Sequence, residues 1–177
     1  LLARFVQLEW VWDAEGMAEI VVREAVGDGD LAFVRSLMEA YGAHLAAYPA
    51  GAANMCLSGF TQEFDRLHEK YAALLLATVD GVPAGCVALR RLTQVEGGCE
   101  MKRLWTEPGF RGMGIGRKLV EDAIRWARTE GMSAMYLDTI SVAMPEAVRL
   151  YGAMGFERVE PYHGDCTADV EFFRLRL

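Results

Sequence analysis

The chain has 177 residues, 53% of them hydrophobic, which suits one domain with a substantial core. Its 18 basic and 25 acidic side chains give a net charge of −7, which argues against a protein that binds nucleic acid by neutralising many phosphates. No run of about eighteen apolar residues would span a membrane, and Cys56, Cys86, Cys99 and Cys166 lack the C-x-x-C spacing of a zinc site or a disulfide framework, so a cytoplasmic setting is expected.

Residues 1–17 include Trp10 and Trp12 but also Arg4, Glu9, Asp13 and Glu15, too charged for a signal-peptide core. They are read as an N-terminal extension, with a single domain at 18–177. Ala18 to Val26 is β-branched enough for a first strand, and Gly27-Asp28-Gly29-Asp30 breaks it. From Leu31 to Ala46, apolar residues recur at helical spacing through Val34, Leu37, Met38, Tyr41 and Leu45. Tyr48 to Gly59 holds Pro49 and Gly51 without a clear period and reads as a loop, a candidate lid. Phe60, Phe64, Leu67 and Tyr71 then suggest a short helix capped near Ser58 or Thr61.

Ala72 to Val79 and Val82 to Leu92 flank Asp80-Gly81, a strong hairpin signal. A third run, Cys99 to Thr106, leads through Glu107-Pro108-Gly109 into a glycine-rich turn. The next helix carries Leu119, Val120, Ala123, Ile124 and Ala127 on one face and ends near Gly131. Met135 to Leu137 forms a strand, Glu146 to Met154 a helix, Gly155-Phe156 opens another strand, and Ala168 to Leu177 alternates as an edge strand would.

The stretch from Arg111 to Leu119 (RGMGIGRKL) alternates three glycines with larger residues and runs straight into a helix. Glycine lets backbone approach a ligand closely, and the first N–H groups of a helix lack intrahelical partners. With the positive end of the helix dipole behind them, those donors favour phosphate. A magnesium-nucleotide loop needs G-x-x-x-x-G-K-[S/T], which is absent here. The dinucleotide spacing G-x-G-x-x-G is also missed, although Asp138 stands where a ribose-binding acid would, and keeps that alternative open.

Downstream, Ala147-Val148-Arg149-Leu150-Tyr151 ends an amphipathic helix before Gly155-Phe156. The ordered pair R-G-x-G-x-G-x-x-L and A-x-x-L-Y-x-x-x-G-F, in this strand order, resembles the GNAT superfamily of acyl-coenzyme A dependent N-acyltransferases, small-molecule type, over Ala18 to Leu177. The resemblance implies an α/β (α+β) fold, a mixed and mostly antiparallel sheet flanked by helices. Two central parallel strands, Cys99–Thr106 and Ser133–Thr139, would splay apart around the pantetheine arm of acetyl-coenzyme A. The pyrophosphate would sit on Arg111, Gly112, Met113, Gly114, Ile115, Gly116 and Arg117, and the arm on Leu104, Trp105 and Thr106, whose backbone would also polarise the thioester oxygen. Tyr151 is then the candidate acid for the leaving thiolate and Glu100 the candidate base, with Lys102 on the same strand face as an alternative partner for Glu100.

Many members of this family carry Asn where this chain has Met144, so Thr139 or Ser141 becomes the candidate side-chain contact to the donor. No metal is implied, and His44, His68 and His163 lie far apart in sequence; His163, beside Tyr162, is a candidate for the acceptor pocket. The acceptor is expected to be a small-molecule or peptide amine. Arg90-Arg91 is a candidate carboxylate clamp, although solvation is the commoner fate of such pairs. A homodimer fits the resemblance, and a non-catalytic acyl-coenzyme A sensor is the other reading that keeps the donor site.

Overall fold

The computed structural model describes residues 18–58, 67–164 and 169–177. Seven strands form one sheet in the order β1-β2-β3-β4-β5-β7-β6. They are β1 (Ile20–Glu24), β2 (Ala73–Val79), β3 (Val82–Arg91), β4 (Gly98–Thr106), β5 (Ala134–Ile140), β6 (Glu157–Val159) and β7 (Val170–Arg176). Five helices accompany them: α1 (Gly27–Ala46), α2 (Pro49–Ser58), α3 (Leu67–Lys70), α4 (Ile115–Thr129) and α5 (Pro145–Ala153). The β4–β5 pair is parallel and the other pairs are antiparallel. The mixed sheet flanked by helices is the expected fold class.

Strand β2 is buried along its whole length because helices cover both faces of the sheet. Leu75, Ala77 and Val79 join Leu119, Val120 and Ala123 of α4 and Ala147 and Tyr151 of α5. On the opposite face, Leu74 and Leu76 meet Val34, Leu37 and Met38 of α1. The two-residue turn between β2 and β3 has positive φ at both Asp80 (49°) and Gly81 (78°), the geometry that matches the twist of a hairpin. Asp80 Oδ1 also accepts from Glu19 N at 2.8 Å, which ties the start of β1 to the turn.

Two expectations need correction, and a third falls largely outside the described residues. The segment read as a loop from Tyr48 is largely helix α2. Pro49 opens it, where the missing N–H costs nothing, and Gly51 packs so closely on α1 that a Cβ would run into the Leu45 carbonyl. Of the helix expected around Phe60 to Tyr71, Leu67–Lys70 is helical and Tyr71 follows its end, whereas Phe60, Thr61 and Phe64 lie outside the described residues. The last strand is interior, because β7 pairs with β5 on one side and β6 on the other, and β6 is the edge.

The feature that positions the site is a bulge in β4. Cys86 pairs with Trp105 but Ala88 pairs with Lys102, so β4 carries one residue more than β3 over this stretch. Arg103 absorbs the extra residue in a left-handed conformation, φ 59°. The parallel ladder to β5 runs from Gly98↔Ala134 to Glu100↔Tyr136 and then stops, so the two strands diverge as the family resemblance implied. Beyond Glu100, one edge of β4 has no strand partner.

Candidate active site

Helix α4 begins against that open edge. A short 3-10 turn, Pro108–Phe110, leads into Gly112 (φ 83°) and Gly114 (φ 81°), and Gly114 caps α4 without any side-chain hydrogen bond. A Cβ at Gly112 or Gly114 would meet no protein atom within 4 Å, so the glycines leave open space in front of the uncapped helix. That space belongs to a pocket of about 510 Å³. Its walls are Leu104, Trp105 and Thr106 from β4, Arg111, Gly112 and Gly114 from the turn, and Ile115, Gly116 and Arg117 from α4. Met144, Ala147 and Leu150 close it from the α5 side, and His44 from α1.

Arg111 is held in place by its own surroundings. Its Nε donates to the Thr106 carbonyl at 3.3 Å, and its guanidinium lies over the Trp105 ring, 5.0 Å from the centroid. Trp105 is fixed in turn by an Nε1 hydrogen bond to Glu107 Oε1 at 3.1 Å. Among the sequence candidates, Glu100, Met113, Thr139, Ser141 and Tyr151 do not line this pocket. Met113 packs half-buried against the core, and Thr139 is buried on β5. Tyr151 is buried against Phe156 and Phe173, and its hydroxyl makes no hydrogen bond among the described residues. Burial, with Tyr41 and the charge of Asp138 nearby, pushes the Tyr151 phenol well above its ordinary pKa, so it stays protonated. Ser141 Oγ is buried without a partner, whereas Met144 contributes only an apolar wall.

Just before the bulge, at Glu100 and Lys102, β4 turns charged side chains toward the α1 face. Glu100 is fully buried. Its Oε2 accepts from Arg90 Nε and its Oε1 from the Tyr162 hydroxyl at 2.6 Å. Lys102 bridges to β5, with Nζ 2.8 Å from Asp138 Oδ1 and 3.6 Å from Glu100 Oε1. Burial alone would raise the Asp138 pKa, but the charge and hydrogen bond of Lys102, helped by His163 and Arg103, hold it below its usual range. The Tyr162 phenol is pushed far up by burial and by the Glu100 charge. His163 stands beside it, Nε2 3.9 Å from Glu100 Oε1.

Several expectations resolve here. Lys102 does lie against Glu100 on the shared strand face. The Arg90-Arg91 pair is neither a free clamp nor simply solvated, because Arg90 binds Glu100 and Arg91 binds Glu130. The histidines do not stay isolated from other ligand types: Glu100, Asp138 and His163 bring potential ligand atoms within 4.8 Å of one another. The Lys102 ammonium already occupies the cation position between the two carboxylates. Asp138 is engaged by Lys102, and a sheet with this single parallel pair lacks the stacked βαβ units of a dinucleotide fold, so that alternative fails. Sequence reasoning missed Tyr162 as a partner of Glu100 and Arg103 as the bulge; neither carries a local motif.

A glycine turn opening an uncapped helix, beside a strand whose edge is freed by a bulge, is accompanied by a sequence match. The profile of the acetyltransferase (GNAT) family matches residues 37–156. The chain belongs to this family. It is 40% identical over 97 residues to an uncharacterized N-acetyltransferase of Schizosaccharomyces pombe, a match covering 55% of this chain and 58% of that one. The chain spans about half the length of the curated relatives it matches. Among solved structures, a GNAT-family acetyltransferase from Staphylococcus aureus superposes with a TM-score of 0.71 at 16% identity, covering 89% of this chain and 99% of that one. An N-acetyltransferase from Thermoplasma acidophilum, solved in complex with coenzyme A, superposes at 0.66 and 16% identity, covering 90% and 99%. These GNAT structures share the fold. No helix among the described residues is long and apolar enough to cross a membrane.

Proposed function

We propose that the protein transfers the acetyl group of acetyl-coenzyme A to the amine of a small-molecule or peptide acceptor, by direct attack on the thioester. The observation that carries this reading is the continuity of the pocket. It joins the free edge of β4 at Leu104 to Thr106 with the uncapped start of α4 and the glycine turn. The turn amides from Arg111 to Gly116 would hold the pyrophosphate, and Leu104 and Thr106 would pair with the pantetheine amides as an added strand does. Backbone N–H groups at the bulge would face the developing negative charge on the thioester oxygen.

A thioester is already activated, so positioning and charge stabilisation supply most of the acceleration. Tyr151, protonated and without a competing hydrogen bond, would give a proton to the departing thiolate. Glu100 and its neighbours form the acid–base cluster on the acceptor side. Thr139 and Met113 support the site from within the packing, and Ser141, with its unpartnered hydroxyl, is the better candidate for a side-chain contact to the donor. The reading needs no metal, because the cation position between the carboxylates is filled by Lys102.

Residues 18–177 would act as one domain in a reducing, cytoplasmic compartment, in keeping with the buried free thiols of Cys86 and Cys99. A homodimer is part of the reading and is checked by light scattering. The activity itself is tested by thiol release from acetyl-coenzyme A against amines, amino acids, polyamines and peptide N-termini. Release that depends on the amine supports it. Binding of coenzyme A without release on any amine would favour an acyl-coenzyme A sensor.

A further inference from the structure

The acceptor-side cluster contains a single ring nitrogen that no hydrogen bond engages from inside. Both Glu100 oxygens accept hydrogen bonds, from Arg90 and from Tyr162, and Asp138 is held by Lys102. Both Glu100 oxygens are therefore already engaged inside the cluster. His163 is different. Its ring is set edge-on between Tyr162 and Phe172, with centroids 4.9 and 5.1 Å away, which fixes its plane. Nε2 is turned inward, sealed from solvent and without a hydrogen-bond partner, 3.9 Å from Glu100 Oε1. The side chain is 22% exposed and Nδ1 is not among its sealed atoms, so Nδ1 is the ring nitrogen an incoming acceptor would reach.

We propose that His163 is the proton acceptor for the incoming amine, with Glu100 as the partner that orients the ring and stabilises the imidazolium. This rests on the acetyl-transfer reading above. The charged acceptor, R–NH₃⁺, gives one proton to Nδ1. The freed lone pair forms the C–N bond at the thioester carbon as the C–S bond breaks. The second nitrogen proton, lost as the amide forms, balances the proton taken up by the departing thiolate, and His163 returns its own proton to solvent. At 3.9 Å the Nε2–Glu100 contact is too long for a hydrogen bond in the resting protein. It shortens when the ring becomes cationic, as catalytic contacts commonly do along the reaction. Lys102 and Arg90 keep the cluster neutral before that step, each opposite a carboxylate, and Tyr162 keeps Glu100 Oε1 on the His163 side.

The test compares the wild-type chain with His163→Gln and His163→Ala. Acceptors are benzylamine, spermidine and an alanyl peptide, all protonated near neutral pH, and phenylhydrazine, which is not. The expected result is a loss of kcat of about 10²-fold on the protonated amines in His163→Gln, a much smaller loss on phenylhydrazine, and partial rescue of His163→Ala by added imidazole. The melting shift given by coenzyme A should be unchanged in both variants, which shows that they fold and bind donor. Turnover within about threefold of wild type on the protonated amines would overturn the role of His163 and leave the acetyl-transfer reading intact. An equal loss on every acceptor without imidazole rescue would also overturn it, marking a structural residue. If the wild-type chain releases no thiol with these four acceptors or with the wider amine panel above, the acetyl-transfer reading falls and this role with it.

Discussion

Tyr151 shows how a residue can be legible in sequence for its role but not for its surroundings. Its motif position marked it as an acid, yet nothing in the motif says that its ring packs on Phe156 and Phe173 or that its hydroxyl lacks a hydrogen-bond partner among the described residues. Those facts separate catalysis from stability. Tyr151→Phe keeps the ring contacts and removes only a hydroxyl that makes no hydrogen bond among the described residues, so little stability is lost. We expect turnover to fall by about 10²-fold while the melting temperature and coenzyme A affinity stay unchanged; equal turnover would remove Tyr151 as the acid. Glu100 is the opposite case. The strand alternation placed Lys102 beside it correctly, but Arg90, Tyr162 and His163 reach it from sequence separations that no local pattern reports.

Among elements, the glycine turn was the most legible, because left-handed φ and an uncapped helix start are both written in residue types. Gly114→Ala forces a Cβ onto φ 81°, at a strain of roughly 1 kcal/mol, and projects it into the space in front of α4. Calorimetric titration with coenzyme A should show affinity about tenfold weaker, or roughly 1.4 kcal/mol. Unchanged affinity would mean that the turn does not hold the donor. Helix α1 depends on a different device, since Asp30 in its first turn accepts from Val26 N at 3.1 Å and pairs with Arg23 of β1. The Arg23 hydrogen bond, then that of Val26, lowers the Asp30 pKa from its ordinary 3.8 to about 2. Because the folded pKa is depressed, this stabilisation is fully present above the unfolded value and is lost as pH falls through about 2. Urea unfolding should therefore find Asp30→Asn less stable than wild type at neutral pH, with the difference closing below pH 4. Helix α2 and the β4 bulge escaped sequence reading for physical reasons. Pro49 and Gly51 look like loop residues unless the close approach to α1 is known, and Arg103 adopts its left-handed φ because the sheet imposes it, not because its side chain favours it.

For the whole molecule, the β2–β3 hairpin, the parallel β4–β5 pair and the helix-flanked mixed sheet were legible, because hairpin turns and the helical crossover between β4 and β5 restrict the topologies available. The edge position was not, since an alternating strand looks the same whether one neighbour or two are present, and the three residues of β6 leave little pattern to read. The layered arrangement gives the chain two sides with separate tasks: the α4 and α5 side frames the donor pocket, and the α1 side carries the charged cluster on β4 and β5. Linkage follows from the first. Coenzyme A at about a hundredfold excess over its Kd should stabilise the fold by roughly 2.7 kcal/mol, a melting shift of about 5–10 °C for a chain of this size. The central claim is that the two sides meet in one reaction, and the most direct measurement follows both products when the chain is mixed with acetyl-coenzyme A and the amine panel. The account predicts free thiol and acetylated amine in equal amounts, formed only when chain, donor and acceptor are all present. Donor binding with neither product on any amine would contradict it.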